Sequence, residues 1–439
     1  MAFLSRVLLV LLMMMCVIVA VAAAAGRAGP ASSIISGGIS EEGDDGLRGA
    51  AWGRFLSWRR RHGKAYGSDG EAARRFRRFR EVERLVEAHN ERHARGESTF
   101  TLGVNHLADV TPEEMKKTRN VLRVKPRPQE EGSGARGAET SFRLTHDPAA
   151  GSDEWRVDWL EAGAVTDVKD QGQCGSCWAF STIGSLEGAA FLATGKLLSL
   201  SEQELVACSH NGENNGCAGG SMDDAFDWIA SNGGVDTEGR YPYQSGGGFA
   251  GKCNEYKEKN MHAATVAGHK DIPANTPAAL VEAVARQPVS VAIDASCDAF
   301  MYYTSGVLSE SCGDELDHGV LITGFRISNR TGTGAWDVKN SWGGWGDGGY
   351  VQIAMDGMEA GHKGVCGINM SPVVPVHATE MPLPPPATDC SASFSCAHDA
   401  TCCCSKRAFG LFCSEHVCCA KGTTCVGFAH GRCASAAAL

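Results

Sequence analysis

Three short motifs, separated by long stretches of chain, constrain the fold of this protein most strongly. The first runs from Gln171 to Trp178 with the sequence QGQCGSCW, the second is Asp317-His318-Gly319, and the third is NSWG from Asn340. His318 lies 141 residues after Cys177, and Asn340 lies 163 residues after it. Because a thiol, an imidazole and an amide act on one another only at hydrogen-bonding distance, the fold is expected to bring these segments together.

Cys177 is predicted to lie at the N-terminus of a helix. The apolar residues that follow it have approximately helical spacing up to Leu192, and Gly195 is the predicted stop. Unpaired backbone N–H groups and the helix dipole favour an anion at that end, so the thiol is expected to ionise well below a free pKa of about 8.5. Thiolate is the reactive form of cysteine, which makes Cys177 the candidate nucleophile.

The other motifs supply the partners that a nucleophilic thiol needs. His318 is the candidate base, because an ordinary pKa of about 6.5 suits both the removal and the return of a proton. Asn340 can accept the ring N–H and hold one tautomer without adding charge, and Trp342 can shield that bond from water. Gln171 can donate, together with the Cys177 backbone N–H, to an oxyanion. These residues predict a cysteine peptidase that uses no metal or cofactor.

The motifs resemble those of the papain family of cysteine peptidases, and the resemblance runs from about Asp153 to Ser371. It implies an α+β fold with two lobes, a helical lobe and a β lobe, and an active-site cleft between them. The pattern of the sequence agrees, because helical spacing dominates the first half of this stretch and short predicted strands the second.

The resemblance also implies where a substrate binds. Gly219 and Gly220 are expected to hydrogen-bond an extended peptide backbone, because they lack side chains. The pocket for the residue two before the scissile bond contains no charged residue, which predicts an apolar substrate side chain there. The sequence lacks the His-His insertion that makes exopeptidases of some relatives, which favours an endopeptidase. The pocket residues are Met222, Ala292, Leu316 and Ser371, and Asp317 and Trp342 complete the substrate-binding set.

The 19 cysteines of the chain favour an oxidising compartment. Seven of them, besides Cys177, lie between residues 153 and 371. The family resemblance implies the pairs Cys174–Cys217, Cys208–Cys253 and Cys312–Cys366. Cys297 is left over, either as a buried free thiol or as a reactive or intermolecular one. A redox pair of Cys174 and Cys177 is an alternative, but no short βαβ pattern precedes these residues.

The N-terminus has the features of a secretory signal peptide, residues 1–25. An apolar run of 19 residues from Val7 to Ala25 follows a single charge at Arg6 and ends in small residues. A run of this length can also span a bilayer as an uncleaved anchor. Residues 26–50 are rich in Gly, Ser and Ala and are predicted to be a spacer.

Residues 51–124 resemble the inhibitory propeptide of papain-like peptidases. A helical signature runs from Glu71 to Asn90, and the sequence GVNHLAD at residues 103–109 resembles a second signature of that region. Arg-dense helices also occur as solvated faces or nucleic-acid-binding surfaces, but two motifs favour the propeptide. The resemblance implies a helical inhibitor domain that passes backwards through the cleft and is removed by cleavage in the linker 125–152.

The propeptide and the catalytic part have opposite charges. Residues 51–124 contain 17 Lys and Arg against 10 Asp and Glu, whereas residues 153–371 contain 13 against 29. Opposite fields favour association at neutral pH and weaken as carboxylates are protonated. We therefore expect acid to help to release the propeptide.

The C-terminal part is predicted to be a disulfide-stapled module. It follows a Pro-rich linker, residues 372–389, and ten cysteines lie between Cys390 and Cys433. Metal binding is the alternative explanation for so many cysteines. Their order resembles granulin up to Cys419, but Cys425 stands alone where granulin has a pair, so the predicted module (390–433) is a shortened one. A granulin-type binding or signalling protein presented on a peptidase fold is the competing hypothesis for the whole chain.

The remaining expectations concern modification, partners and compartment. Asn329 begins a glycosylation sequon on a polar segment. The expected partners are protein and peptide substrates and the chain's own propeptide, acting on a monomer without nucleic acid and without membrane insertion after signal removal. The expected location is the secretory pathway, ending in a lysosome or vacuole or outside the cell.

Overall fold

A computed structural model describes residues 45–124, 154–310, 312–328, 331 and 333–380, together with the backbone of six strands between residues 388 and 435. The chain divides into two compact units, Met1–Arg54 and Phe55–Leu439. No helix within these described ranges is long and apolar enough to cross a membrane. The predicted signal peptide, processing linker and glycosylation site at Asn329 lie outside the described residues.

The propeptide region contains three helices and one short strand. Ser68 caps the second helix by accepting a hydrogen bond from the backbone N–H of Glu71, and Thr111 and Glu114 form a capping box on the third. The region is not purely helical, because its strand pairs with a strand of the catalytic part. The elements are α1 (Asp45–Arg61), α2 (Asp69–Ala94), β1 (Phe100–Leu102) and α3 (Pro112–Thr118).

Helix α1 begins inside the predicted spacer. Its first residue is Asp45, so the spacer predicted for residues 26–50 is too long.

The helices of the catalytic part follow its first strand, and the predicted helix at Cys177 is confirmed. Every residue of this helix from Cys177 to Ala190 is buried, so it forms the centre of the fold. It ends at Gly195, whose φ of 78° is left-handed and favours glycine. The helices are α4 (Cys177–Thr194), α5 (Glu202–Cys208), α6 (Met222–Asn232), α7 (Glu255–Asn260), α8 (Pro277–Val284) and α9 (Asp298–Met301).

A nine-stranded sheet forms the second half and brings the other two motifs to α4. Its strand order is β1-β6-β9-β8-β7-β5-β10-β4, with β2 also paired to β7, and every pair is antiparallel except β6 with β9. The strands are β2 (Glu154–Asp158), β4 (Gly268–Asp271), β5 (Val289–Ile293), β6 (Tyr303–Leu308), β7 (His318–Ser328), β8 (Gly334–Lys339), β9 (Tyr350–Met355) and β10 (Val373–Val376). The predicted α+β, papain-like fold with a helical prodomain is thereby confirmed.

The predicted Pro-rich linker begins too early at residue 372. Strand β10 lies within that range, and its first residue, Val373, is fully buried and pairs with Ser290 of β5. Proline has no backbone N–H to donate to a neighbouring strand. Pro375 is tolerated because β10 pairs with β5 only at Val373, so no hydrogen bond to β5 is required at Pro375. A further small sheet joins β3 (Ala264–Thr265) to β11 (Thr379–Glu380), so the catalytic fold continues to residue 380.

The structure contains two of the implied disulfides, Cys174–Cys217 and Cys208–Cys253. The third implied pair, Cys312–Cys366, is contradicted, because Cys312 is bonded to Cys297. Cys366 is a buried free thiol whose Sγ lies 2.8 Å from the Cys312 Sγ. Three sulfurs therefore meet at one point, and the observed bond closes a loop of 15 residues rather than 54, at a lower entropic cost.

The backbone of the cysteine-rich tail forms three antiparallel hairpins. Side-chain pairing in this module, including the pairing of its cysteines, lies outside the described residues. The hairpins are β12 (Thr388–Ser391) with β13 (Phe394–Cys396), β14 (Ala400–Ala408) with β15 (Phe412–Ala420), and β16 (Thr423–Val426) with β17 (Arg432–Ser435).

Glu204 makes the stability of the helical lobe depend on pH. This side chain on α5 is fully buried, and burial raises its pKa to about 8, although the backbone N–H of Asp236 donates to its carboxylate at 2.7 Å. A raised carboxyl pKa favours the folded state fully below the ordinary pKa of about 4.5, and this contribution is lost as pH rises towards 8.

We expect Glu204→Gln to flatten this pH dependence. The shift corresponds to up to about 4 kcal/mol of unfolding free energy between pH 4.5 and pH 8. Urea unfolding at pH 5 and pH 8 measures it, on a Cys177→Ala background, with Glu255→Gln on exposed helix α7 as the matched control. An unchanged pH dependence in the Glu204 variant would contradict the assignment.

Candidate active site

Cys177 is the first residue of α4 and is completely buried. Backbone N–H groups of Gly319, Trp178 and Val121 point at its sulfur. Burial raises the pKa of this thiol to about 12, and the N–H groups offset only part of that rise. The expected low thiol pKa is therefore not found in this covered state, because Val121 belongs to the propeptide region and closes the site to water.

His318 and Asn340 come from adjacent strands and form a hydrogen-bonded pair. His318 begins β7, Asn340 directly follows β8, and the ring Nε2 lies 2.8 Å from the Asn340 Oδ1. Since Oδ1 only accepts, Nε2 carries the proton, and Nδ1 is left as an acceptor. Nδ1 has no hydrogen-bond partner among the described residues. Burial lowers the pKa of His318 to about 4, against a smaller opposing effect of Asn340.

Trp342 covers the imidazole, as predicted for a shield against water. Its ring centroid lies 4.8 Å from that of His318, and the residue is 1% exposed. Phe300 and Trp345 pack edge-on against Trp342 and hold it in place. The hydrogen bond between His318 and Asn340 therefore lies in an environment without access to water.

Gln171 is completely buried, and its orientation is fixed from both ends. Its Oε1 accepts from the Ser341 hydroxyl at 2.7 Å, which turns the amide nitrogen the other way. That nitrogen donates to the carbonyl oxygens of Cys174, at 2.9 Å, and Arg119, at 3.1 Å. Because Arg119 belongs to the propeptide region, the amide predicted to bind an oxyanion already binds a peptide carbonyl.

Residues 119–123, which follow α3, lie along the site in an extended path. The Arg119 carbonyl accepts from the Gln171 side chain, and the Val121 N–H points at the Cys177 sulfur. Leu122 and Arg123 then contact Asp317 and Gly220. The Leu122 N–H donates to the Asp317 carbonyl at 3.0 Å, and the Arg123 N–H donates to the Gly220 carbonyl at 2.8 Å. Leu122 and Gly220 form an isolated β-bridge in which the two backbone segments run parallel. This segment blocks access to the thiol.

The predicted glycine pair lies directly under this segment. Gly219 has a φ of 107°, and a Cβ there would lie 2.1 Å from the Val121 carbonyl oxygen. A Cβ on Gly220 would lie 2.7 Å from the Trp178 ring. Gly219 therefore needs glycine for the backbone of a bound chain to come this close, whereas Gly220 needs it to pack against Trp178.

Leu122 belongs to the same buried hydrophobic cluster as Met222 and Ala292, and Leu316 packs against that cluster. Ser371 is also buried. Asp317 turns its carboxylate away, to the Ala295 N–H at 2.9 Å and the Ser296 hydroxyl, and presents its backbone carbonyl to the cleft segment. Burial raises the pKa of Asp317 to about 6.

Sequence analysis missed the residues that hold the propeptide in place. The opposite net charges indicated attraction but not its points of contact. Four ion pairs join the two parts within the described residues, and the basic partner is always in the propeptide region. They are Arg78–Asp298 at 2.6 Å, Arg92–Glu310 at 2.9 Å, Lys116–Glu315 at 2.7 Å and Arg123–Glu213 at 3.2 Å.

His318 is an oriented proton acceptor, the N–H of the next residue, Gly319, points at the Cys177 thiol, and the Gln171 amide donates to a peptide carbonyl. These groups define the class as a thiol hydrolase acting on peptides. A redox pair of Cys174 with Cys177 is excluded in this structure, because Cys174 is bonded to Cys217.

Comparisons with known proteins agree with this class. The sequence profile of the papain family cysteine proteases matches residues 154–376, and that of the cathepsin propeptide inhibitor domain (I29) matches residues 55–115. Cysteine endopeptidase RepA of Oryza sativa subsp. japonica is 45% identical over 336 residues, which cover 73% of this chain and 84% of that protein. Probable cysteine protease RD21B of Arabidopsis thaliana is 40% identical over 393 residues, 84% of this chain and 78% of that protein.

Solved structures of proforms are similar over about three quarters of this chain. The proform of Amb a 11, a ragweed pollen allergen, has a TM-score of 0.61 at 33% identity and covers 76% of this chain and 96% of its own. The precursor of recombinant stem bromelain has a TM-score of 0.62 at 32% identity, and the match covers 74% of this chain and 99% of the bromelain chain. The chain therefore belongs to the papain family of cysteine proteases, and it is a zymogen with an I29 propeptide.

Proposed function

We propose that this protein is a cysteine endopeptidase in which Cys177 is the nucleophile, His318 the base, Asn340 the orienting amide and Gln171 an oxyanion donor. The observation that carries the proposal is the hydrogen bond between His318 Nε2 and Asn340, because it leaves Nδ1 as the acceptor for a thiol proton. The names of the similar plant proteases support endopeptidase activity.

Removal of the propeptide changes the protonation of the pair. In the covered cleft, burial favours the neutral thiol and the neutral imidazole. When water enters, the thiol proton passes to His318 Nδ1, and the helix N-terminus and the Gly319 N–H stabilise the thiolate. The charged pair is the reactive form of the enzyme.

The reaction then proceeds through an acyl-enzyme. The Cys177 sulfur attacks the peptide carbonyl carbon, and the oxyanion accepts from the Gln171 side chain and the Cys177 N–H. The C–N bond breaks as His318 returns the proton to the leaving amine. Water, deprotonated by the same imidazole, then hydrolyses the thioester and restores the thiol.

The propeptide inhibits because it occupies the cleft in the direction opposite to a substrate. Following the chain, residues 119–123 pass Gln171 first, then Cys177, then Gly220. By family resemblance a substrate passes the glycine pair before it reaches the thiol. A reversed peptide places no carbonyl carbon in line for attack, so cleavage in the linker 125–152 is needed for activity.

The enzyme is expected to prefer an apolar residue two before the scissile bond. Leu122, an apolar side chain of the propeptide, already belongs to a buried hydrophobic cluster with Met222 and Ala292. A peptide library assayed with the processed enzyme should give Leu, Val or Phe at this position. A profile dominated by Arg there would refute the assignment, and absence of all cleavage would refute the endopeptidase proposal.

The parts beyond the catalytic domain complete the proposal. The hairpins of the tail backbone and its cysteine order support a shortened granulin-like module after the linker. A signal peptide, many cysteines and a sequon at Asn329 support a secretory route to a lysosome, a vacuole or the exterior. Mass spectrometry of both ends of the mature monomer tests these boundaries and shows whether the tail is retained.

A further inference from the structure

The cleft segment carries an ion pair directly next to the buried side chain of Leu122. Arg123 directly follows Leu122 and lies one residue farther from Cys177 along the cleft segment. Its backbone N–H donates to the Gly220 carbonyl at 2.8 Å, so its backbone position is fixed. Its guanidinium contacts the Glu213 carboxylate at 3.2 Å and the Ala218 carbonyl at 3.4 Å.

The loop that presents Glu213 is held by α6. The Glu213 N–H donates to the Asp224 carboxylate at 2.9 Å, and the Asn211 side-chain amide donates to the Asp224 backbone carbonyl at 2.8 Å. These two bonds hold residues 211 and 213 against α6, so the Glu213 side chain leaves a supported backbone rather than a free one.

The surrounding sequence is acidic. From 209 to 224 the chain contains Glu213, Asp223 and Asp224 and neither Lys nor Arg. Within the described residues Arg123 is the basic side chain that forms an ion pair with Glu213. When the propeptide leaves, this carboxylate loses that partner at the edge of an open cleft, where a substrate cation can replace it.

We propose that Glu213 is a specificity-determining residue that selects Lys or Arg three residues before the scissile bond. The proposal rests on the proposed function, because it assumes that the substrate residue two before the scissile bond takes the place of Leu122. The next substrate residue then lies where Arg123 lies, beside Glu213 and the Ala218 carbonyl. Propeptide and substrate share this contact although their chains run in opposite directions.

The effect should be moderate and electrostatic. Arg123 and Glu213 are 48% and 50% exposed, so water and salt weaken their attraction. We expect a basic residue to raise kcat/KM about threefold to fivefold over a neutral residue of similar length. Because the site is remote from the reacting atoms, most of the change should appear in KM rather than kcat.

The test uses the processed enzyme and three fluorogenic peptides that share Leu two before the scissile bond. They carry Lys, norleucine or Glu three before it. The wild type should favour Lys over norleucine and norleucine over Glu, and the differences should shrink in 0.5 M NaCl, where the Debye length falls to about 4 Å. Glu213→Gln should remove the order, and Glu213→Arg should reverse it.

Glu310→Gln is the matched control, because Glu310 also pairs with a propeptide arginine, Arg92, but that arginine lies on α2 rather than in the cleft segment. The control should keep the wild-type order. Equal rates for the three peptides, or an order that survives Glu213→Gln, would overturn the proposal for Glu213 alone. Failure of all three peptides to be cleaved would instead count against the proposed endopeptidase.

Discussion

Cys177→Ser and His318→Ala should each lower kcat/KM for peptide hydrolysis by about three to six orders of magnitude. Serine keeps the shape of the side chain, but its hydroxyl does not ionise at neutral pH as a thiol does. Alanine in place of His318 removes the acceptor that takes the thiol proton. Asn340→Ala should cost less, because the imidazole remains and loses only the bond at 2.8 Å that sets its tautomer. Initial rates of the processed proteins on one fluorogenic peptide measure all three effects.

His269→Ala is the control for these variants. His269 lies in β4 and pairs with Asp227 at the surface, away from the three motifs. This variant should retain wild-type activity. Because the zymogen matures by cleavage, the inactive variants need processing by added protease before assay. Residual activity within tenfold of wild type in His318→Ala would contradict the assigned base.

The second large effect expected is acid release of the propeptide through His106. Burial lowers the pKa of this residue to about 4, and Arg119 and Lys64 lower it further, while Asp170 of the catalytic part opposes them. In a propeptide that unfolds on release the ordinary pKa of about 6.5 applies, so protonation favours release. Binding is therefore fully present above pH 6.5 and is lost as pH falls towards 4, by up to about 3 kcal/mol.

His106→Gln should reduce this pH dependence, because glutamine cannot be protonated. The rate at which a thiol reagent labels Cys177 in the zymogen measures opening of the cleft. In the wild type it should rise roughly a hundredfold between pH 7 and pH 4, and the variant should show a clearly shallower rise.

His93→Gln, an exposed histidine near the end of α2, is the control and should behave as the wild type. Equal pH profiles for His106→Gln and the wild type would contradict the role of His106.

Local patterns predicted the elements that carry the chemistry. The helix that begins at Cys177 is found where the helical spacing of its apolar residues and Gly195 placed it. The hydrogen bond between His318 and Asn340 follows from chemistry alone, because an amide oxygen is a neutral acceptor for a ring N–H. Local patterns do not show that the three motifs share one cleft, and that expectation came from the family resemblance.

Tertiary contacts decided what local patterns could not. Cys312 has two sulfur neighbours, and no sequence pattern shows which of Cys297 and Cys366 it bonds. Strand β10 lies in a proline-containing segment that composition marks as a linker, yet burial of Val373 makes it part of the sheet. The ionisation of Cys177 depends on whether Val121 covers it, which is a property of the zymogen rather than of the motif.

Labelling with an epoxide thiol reagent, followed by peptide mapping, tests the central claim most directly. The processed enzyme should take up one equivalent, on Cys177, while the buried thiol Cys366 stays unmodified. The zymogen at neutral pH and the processed His318→Ala variant should react far more slowly. Absence of an adduct on Cys177 in the processed enzyme, or equal labelling with and without His318, would contradict a thiolate activated by that imidazole.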